Sequence, residues 1–165
     1  MAITYEPIST QTLANTTTST VTFSSIPATY TDLILICSVG NNSGTGSGGM
    51  QTRYNNDTGS NYSWTYLVGN GTSASSGRNS NATYFDTAME NDTTNYGIII
   101  TQVMNYSNAT TFKTAITRGS ASTKEAGANV SLYRSTSAIN RIDCIKADGN
   151  FKNGSTFTLY GIKSA

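Results

Sequence analysis

Short runs in which apolar and polar residues alternate recur along the whole chain, separated by segments rich in Gly, Asn and Ser. The clearest pairs stand in the C-terminal part: Val130 with Leu132, Ile142 with Cys144, and Phe157 with Leu159. Alternation places apolar side chains on one face of a strand, whereas no window shows the i, i+3, i+4, i+7 stripe of an amphipathic helix. The pattern predicts an all-β protein, a two-sheet antiparallel sandwich of jelly-roll type with about eight to ten strands.

The predicted strands are residues 3–8, 19–25, 32–39, 51–55, 61–68, 83–89, 97–106, 111–118, 129–133, 139–146 and 155–162. Residues 32–39 are apolar on both faces, which is typical of a central strand. Between the strands, residues 40–49 and 69–83 are dominated by Gly, Ser, Asn and Thr. Such segments bury little apolar area, so we expect both to be flexible, exposed polar loops.

The composition suits one uncharged, hydroxyl-rich domain that spans residues 1–165. Hydrophobic residues make up 36% of the chain and charged residues only 12%, where about 25% charged is usual. The formal net charge of +1 is too small for the high-charge signature of disorder, and a chain of this length can enclose a single core.

Several function classes are disfavoured by what the sequence lacks. The chain has no His, which is the commonest general base and zinc ligand, and its nine acidic residues are scattered. We therefore predict no enzymatic activity, no metal and no cofactor; an enzyme acting on surface polysaccharide remains the least favoured alternative.

Nucleic acid and membrane partners are also disfavoured. The ten basic residues stand singly, without the clusters that bind phosphate backbones. There is no apolar run long enough for a membrane-spanning helix, and the first residues lack the basic and apolar regions of a signal peptide. We expect synthesis in the cytosol, and hence that Cys37 and Cys144, both in apolar runs, are buried reduced thiols.

Tyr62, Trp64 and Tyr66 form the most distinctive cluster, because their spacing of two puts three rings on one face of a strand. An exposed stripe of this kind would bind a glycan or contact another subunit. The alternative is that the stripe faces the core and that Ser63 and Thr65 face solvent.

The C-terminal segment carries a recognisable motif, with Phe151 placed to plug the end of the sandwich. Its residues are Tyr133-Arg134-Ser135, Ile139, Ile142, Asn150-Phe151, Gly154-Ser155 and Leu159-Tyr160-Gly161-Ile162. This segment resembles the ending of small β-sandwich virion structural proteins of tailed bacteriophages. Weaker similarities lie at residues 23–27 and 53–55.

The resemblance implies a non-enzymatic virion protein, most simply a capsid decoration or cement protein on the outer head surface, assembled in the host cytoplasm. The alternative is a tail-fibre or receptor-binding module that contacts host surface glycan. The implied partners are the major capsid protein or tail and fibre proteins. The resemblance also implies a homo-oligomer, with a trimer favoured.

Overall fold

The computed structural model describes residues 4–15, 18–42, 49–90, 93–121 and 123–163. Its strands are β1 (Tyr5–Thr12), β2 (Thr20–Phe23), β3 (Asp32–Val39), β4 (Gly49–Tyr54), β5 (Tyr62–Gly69), β6 (Ala74–Ala82), β7 (Phe85–Glu90), β8 (Gly97–Met104), β9 (Lys113–Ala121), β10 (Glu125–Tyr133), β11 (Ile142–Lys146) and β12 (Thr156–Ile162). The described ranges contain no helix with the length and apolar character needed to cross a membrane.

The strands form two antiparallel sheets that pack as a sandwich. The large sheet has eight strands in the order β1-β12-β3-β8-β9-β10-β5-β6, and the small sheet has four in the order β2-β11-β4-β7. The prediction of an all-β, two-sheet antiparallel sandwich is therefore confirmed, but the predicted number of about eight to ten strands is too low, since the described ranges contain twelve. Each predicted strand has a counterpart in the structure.

The apolar and polar residues that alternate in the sequence lie on opposite faces of the large sheet. In β12, Phe157 and Leu159 are completely buried between the sheets, whereas Thr158 and Tyr160 point away from the small sheet and are half-buried. β12 lies between β1 and β3, so the C-terminal strand is an interior strand of the large sheet.

Aromatic rings fill both ends of the core. At one end Tyr62 stacks on Tyr133 with ring centroids 4.9 Å apart, and Phe85 meets the ring of Tyr62 edge-on, also at 4.9 Å. At the other end Phe151 is completely buried against Phe157, which confirms that it plugs the sandwich.

The prediction of a loop at residues 69–83 is wrong over most of its length, because β6 occupies Ala74–Ala82. The composition has low strand propensity, but the free edge of β5 supplies a row of hydrogen-bonding groups with which this segment pairs, with one register shift between Tyr62 and Trp64. The expected exposure does hold, since most side chains of β6 are exposed. The turn before β6 is a loop, in which the Asn70 side-chain oxygen accepts the backbone N–H groups of Thr72 and Ser73 at 3.0 and 2.8 Å.

The other predicted loop, residues 40–49, falls largely on residues 43–48, which lie outside the described ranges. Its two ends belong to the sandwich. Asn41 is buried and forms an isolated bridge with Phe151, and Gly49 already starts β4.

Candidate interaction site on the outer face of the large sheet

The outer face, defined as the side of the large sheet turned away from the small sheet, is built from rows of cross-strand neighbours. One row runs through Tyr160, Ile34, Gln102, Ile116, Val130 and Thr65. The next runs through Thr158, Ile36, Ile100, Arg118, Ala128 and Leu67. Because side chains alternate along each strand, every residue of a row projects from the same side of the sheet.

This face is unusually apolar for a surface. Of the eight large hydrophobic residues that are exposed in the described ranges, six lie on it: Tyr5, Ile36, Leu67, Ile98, Ile116 and Val130. The exposed fraction reaches 60% for Leu67 and 52% for Val130. Contiguous apolar patches on monomeric proteins seldom exceed a few hundred Å² and usually mark interaction sites.

Charge is sparse on the same face. Within the described strands its charged side chains are Asp32, Arg78 and Arg118. The Asp32 carboxylate is held in place, because it accepts the side-chain amide of Gln102 at 3.3 Å and the backbone N–H of Asn105 at 2.9 Å. Arg118 is exposed, and the structure gives it no ionic partner among the described residues.

A shallow depression of about 250 Å³ lies where β9, β10, β5 and β6 meet. Its lining includes the hydroxyl residues Ser63, Thr65 and Thr114, the apolar Val130, and Arg78 on the edge strand. The hydroxyls and the guanidinium can donate hydrogen bonds to a polar ligand while the apolar floor contacts its carbon atoms.

The predicted aromatic stripe does not contribute exposed rings to the outer face. Tyr62 is completely buried and Trp64 is 6% exposed, packed beside Tyr84 with ring centroids 5.9 Å apart. Tyr66 is half-buried and lies over Gly77 of β6, where a Cβ atom would stand 2.7 Å from the tyrosine hydroxyl. Tyr62 and Trp64 therefore face the core, which was the alternative interpretation of the stripe. Tyr66 covers a glycine of the neighbouring strand.

The apolar outward positions of β3 were visible in the sequence. Residues 32–39 predicted a central strand, and β3 does lie between β12 and β8. Of its two outward isoleucines, Ile34 is buried, whereas Ile36 is 36% exposed. The apolar runs of β3 and β8 were the sequence signal for part of this surface, namely Ile36 and Ile98.

Cys37 of the large sheet and Cys144 of the small sheet are both free and completely buried, as predicted. Burial raises the pKa of the Cys37 thiol, and the neighbouring Cys144 raises it further. Because the thiolate is the reactive form, the pair is suited to packing rather than to nucleophilic chemistry.

Asp57 is a carboxylate that accepts hydrogen bonds from three different residues. It accepts the backbone N–H of Gly59 at 2.7 Å, the side-chain amide of Asn61 at 2.8 Å and the hydroxyl of Tyr133 at 2.9 Å. Burial alone would raise the pKa of Asp57, but these donors together lower it. The group therefore stabilises the turn between β4 and β5.

Lys113 is a buried cation whose partners are neutral. Its amine donates to the backbone carbonyls of Thr111 at 2.8 Å, Thr136 at 3.1 Å and Ser135 at 3.4 Å. Burial lowers the pKa of Lys113. The contacts join the start of β9 to the segment after β10, which is a structural role.

Among the described residues, no three His, Cys, Asp or Glu side chains come together in a way that could hold a metal ion. Comparison with protein-family models and with curated proteins finds no match for this chain.

Proposed function

We propose that this chain is a non-enzymatic structural protein of a tailed-bacteriophage virion, a decoration or cement protein on the outer surface of the head. The observation that supports the proposal is that residues of the C-terminal motif are buried in the core. Phe151 and Leu159 are fully buried, and Ser155 is buried and accepts the backbone N–H of Gly40 at 3.2 Å. These residues of the motif are thus part of the buried core, as expected if the chain shares the architecture of those virion proteins. We also propose that the strands are connected as in a jelly roll.

The outer face supports a role in protein contact. It is a broad sheet surface with exposed aliphatic side chains and few charges, so covering it desolvates few ions. Such a surface fits another protein better than a small substrate. The partners that we propose are the major capsid protein, or tail and fibre proteins, together with further copies of this chain in the virion.

The depression beside Arg78 favours a second candidate, a fibre-associated or receptor-binding module. Its hydroxyl-rich lining and its apolar floor can accept a sugar ring of a host surface glycan. In this candidate the contact is made at the depression rather than over the whole face.

The two functions differ in what the purified chain binds. Particles of the phage that encodes the chain, prepared without it, are mixed with labelled protein and sedimented. The head-decoration role predicts saturable binding to these particles and none to host cells. Binding to host cells that is lost in Arg78→Ser supports the receptor-binding role, and failure to bind either target contradicts both.

A further inference from the structure

We propose that the outer face of the large sheet packs against the same face of a second copy of this chain around a two-fold axis at Gln102. The inference is independent of the virion role, because it rests on the area of the face and on the arrangement of its charges.

The face is large enough for a second copy to cover a substantial part of it. Eight strands spaced by about 4.8 Å make the sheet about 38 Å wide, and strands of eight residues are about 27 Å long, which gives a face of roughly 1,000 Å². A stable interface usually takes about 800 Å² from each partner. Two sheets can stack face to face at about 10 Å with their aliphatic side chains interdigitated.

Two of the three charges of the face, Asp32 and Arg118, stand symmetrically about Gln102, while the third, Arg78, lies on the edge strand β6. Gln102 pairs with Ile34 of β3 on one side and with Ile116 of β9 on the other. Asp32 lies two residues before Ile34, and Arg118 lies two residues after Ile116. Because β3 and β9 are both antiparallel to β8, they run in the same direction, so Asp32 and Arg118 stand diagonally opposite each other across Gln102.

Within one copy these two charges are too far apart to pair. Two strand spacings across and four residues along separate their Cα atoms by about 17 Å. The proposed two-fold axis lies in the plane of the interface, passes through Gln102 and is perpendicular to the line that joins Asp32 and Arg118. Rotation about this axis places each Arg118 over Asp32 of the other copy. Both ion pairs form at once, which is the self-complementarity of an isologous contact.

This symmetry specifies a dimer, whereas the resemblance to virion proteins implies a trimer. A two-fold contact also buries the apolar centre of the face, including Ile116 and Val130, which are 44% and 52% exposed in one copy. Removing this area from water supplies the favourable free energy, and the two ion pairs select the register.

The test is the mass of the full-length chain in solution, measured by sedimentation equilibrium over a wide range of protein concentration. The wild-type chain is expected to be a dimer. Arg118→Asp and Asp32→Arg each place like charges opposite one another at both contacts, so each variant should dimerise at least about tenfold more weakly. An equal mixture of the two variants should dimerise again, because the mixed pair restores both opposite-charge contacts.

Two further variants test the contact without changing Asp32 or Arg118. Ile116→Asp puts a carboxylate in the centre of the contact and must abolish the dimer even if Asp32→Arg fails to fold. Thr20→Asp adds the same charge at an exposed position of the small sheet and must leave the dimer intact. Circular dichroism and thermal unfolding establish that each variant is folded.

A wild-type monomer or trimer overturns the proposal. It is equally overturned if Ile116→Asp remains dimeric, or if folded Arg118→Asp and Asp32→Arg variants do not dimerise when mixed.

Discussion

The ring of Phe151 packs edge-on against the ring of Phe157, with 4.9 Å between the two centroids. Both rings are completely buried. Phe157 points inward from β12, while Phe151 lies just before that strand and bridges to Asn41. The pair closes one end of the core with residues that come from a single C-terminal segment.

Replacing Phe157 with Ala should therefore cost about 3–5 kcal/mol of unfolding free energy, because the ring leaves a cavity that the sandwich cannot fill. Urea unfolding followed by fluorescence measures the loss. Thr158→Ala is the matched control, since Thr158 points to the outer face and loses only an exposed hydrogen bond with Thr10. Its cost should stay below about 1 kcal/mol, and a similarly small cost for Phe157→Ala would show that β12 is peripheral.

The inward side of β12 could be predicted from the sequence because only one face of the strand reaches the core. The outward side of β3 is different. Ile34 and Ile36 make that strand apolar on both faces, and Ile34 is buried whereas Ile36 is 36% exposed. The spacing of the residues does not determine how far such an outward side chain is exposed.

Two other features depended on tertiary context. β6 forms from a segment of Gly, Ser and Asn because the edge of β5 provides hydrogen-bonding partners for it. The strand propensity of the segment itself does not reveal this pairing. The shared face of Tyr62, Trp64 and Tyr66 was predictable from their spacing. Which side of the sheet that face would occupy was not, because it depends on where the small sheet packs.

Cys37 and Cys144 should resist alkylation in the native protein and react fully after unfolding. Both thiols are completely inaccessible, and burial also raises the pKa of Cys37, which keeps it in the unreactive thiol form. Mass spectrometry after treatment with iodoacetamide, with and without denaturant, counts the labelled residues. Rapid labelling of either thiol in the native protein would contradict the prediction.

Asp57 should make the native state sensitive to acid. Although burial alone would raise the pKa of this carboxyl, donors from Asn61, Gly59 and Tyr133 lower it in the folded chain. A group whose pKa is lower when folded stabilises the protein above its unfolded pKa, and this contribution disappears as the pH falls through the folded value. Its contribution is therefore complete above about pH 5 and is lost progressively below about pH 4.

The measurement compares Asp57→Asn with the wild-type chain in urea unfolding at several pH values. The wild-type chain should be more stable near neutral pH, and the difference should shrink as the solution is acidified below about pH 4. Asp148→Asn, in an exposed turn, is the control and should follow the wild-type curve. A stability difference between Asp57→Asn and wild type that does not change with pH would refute the role of the charge.

Gly161 is required where the ring of Tyr30 crosses β12. A Cβ atom at residue 161 would lie 2.3 Å from a carbon of that ring, so Gly161→Ala must displace Tyr30 or the strand. We expect a loss of about 1–3 kcal/mol in unfolding free energy, as for other overpacked sites. Gly69→Ala is the matched control, because the nearest neighbour of its Cβ atom would be the Ser73 carbonyl at 4.0 Å, and its cost should be far smaller.

The decisive measurement is a double-mutant cycle. In a Tyr30→Ala background, Gly161→Ala should cost almost no unfolding free energy, because the ring that the new methyl group would contact is absent. An equal cost in both backgrounds would place the conflict in the backbone of β12 rather than at the contact with Tyr30.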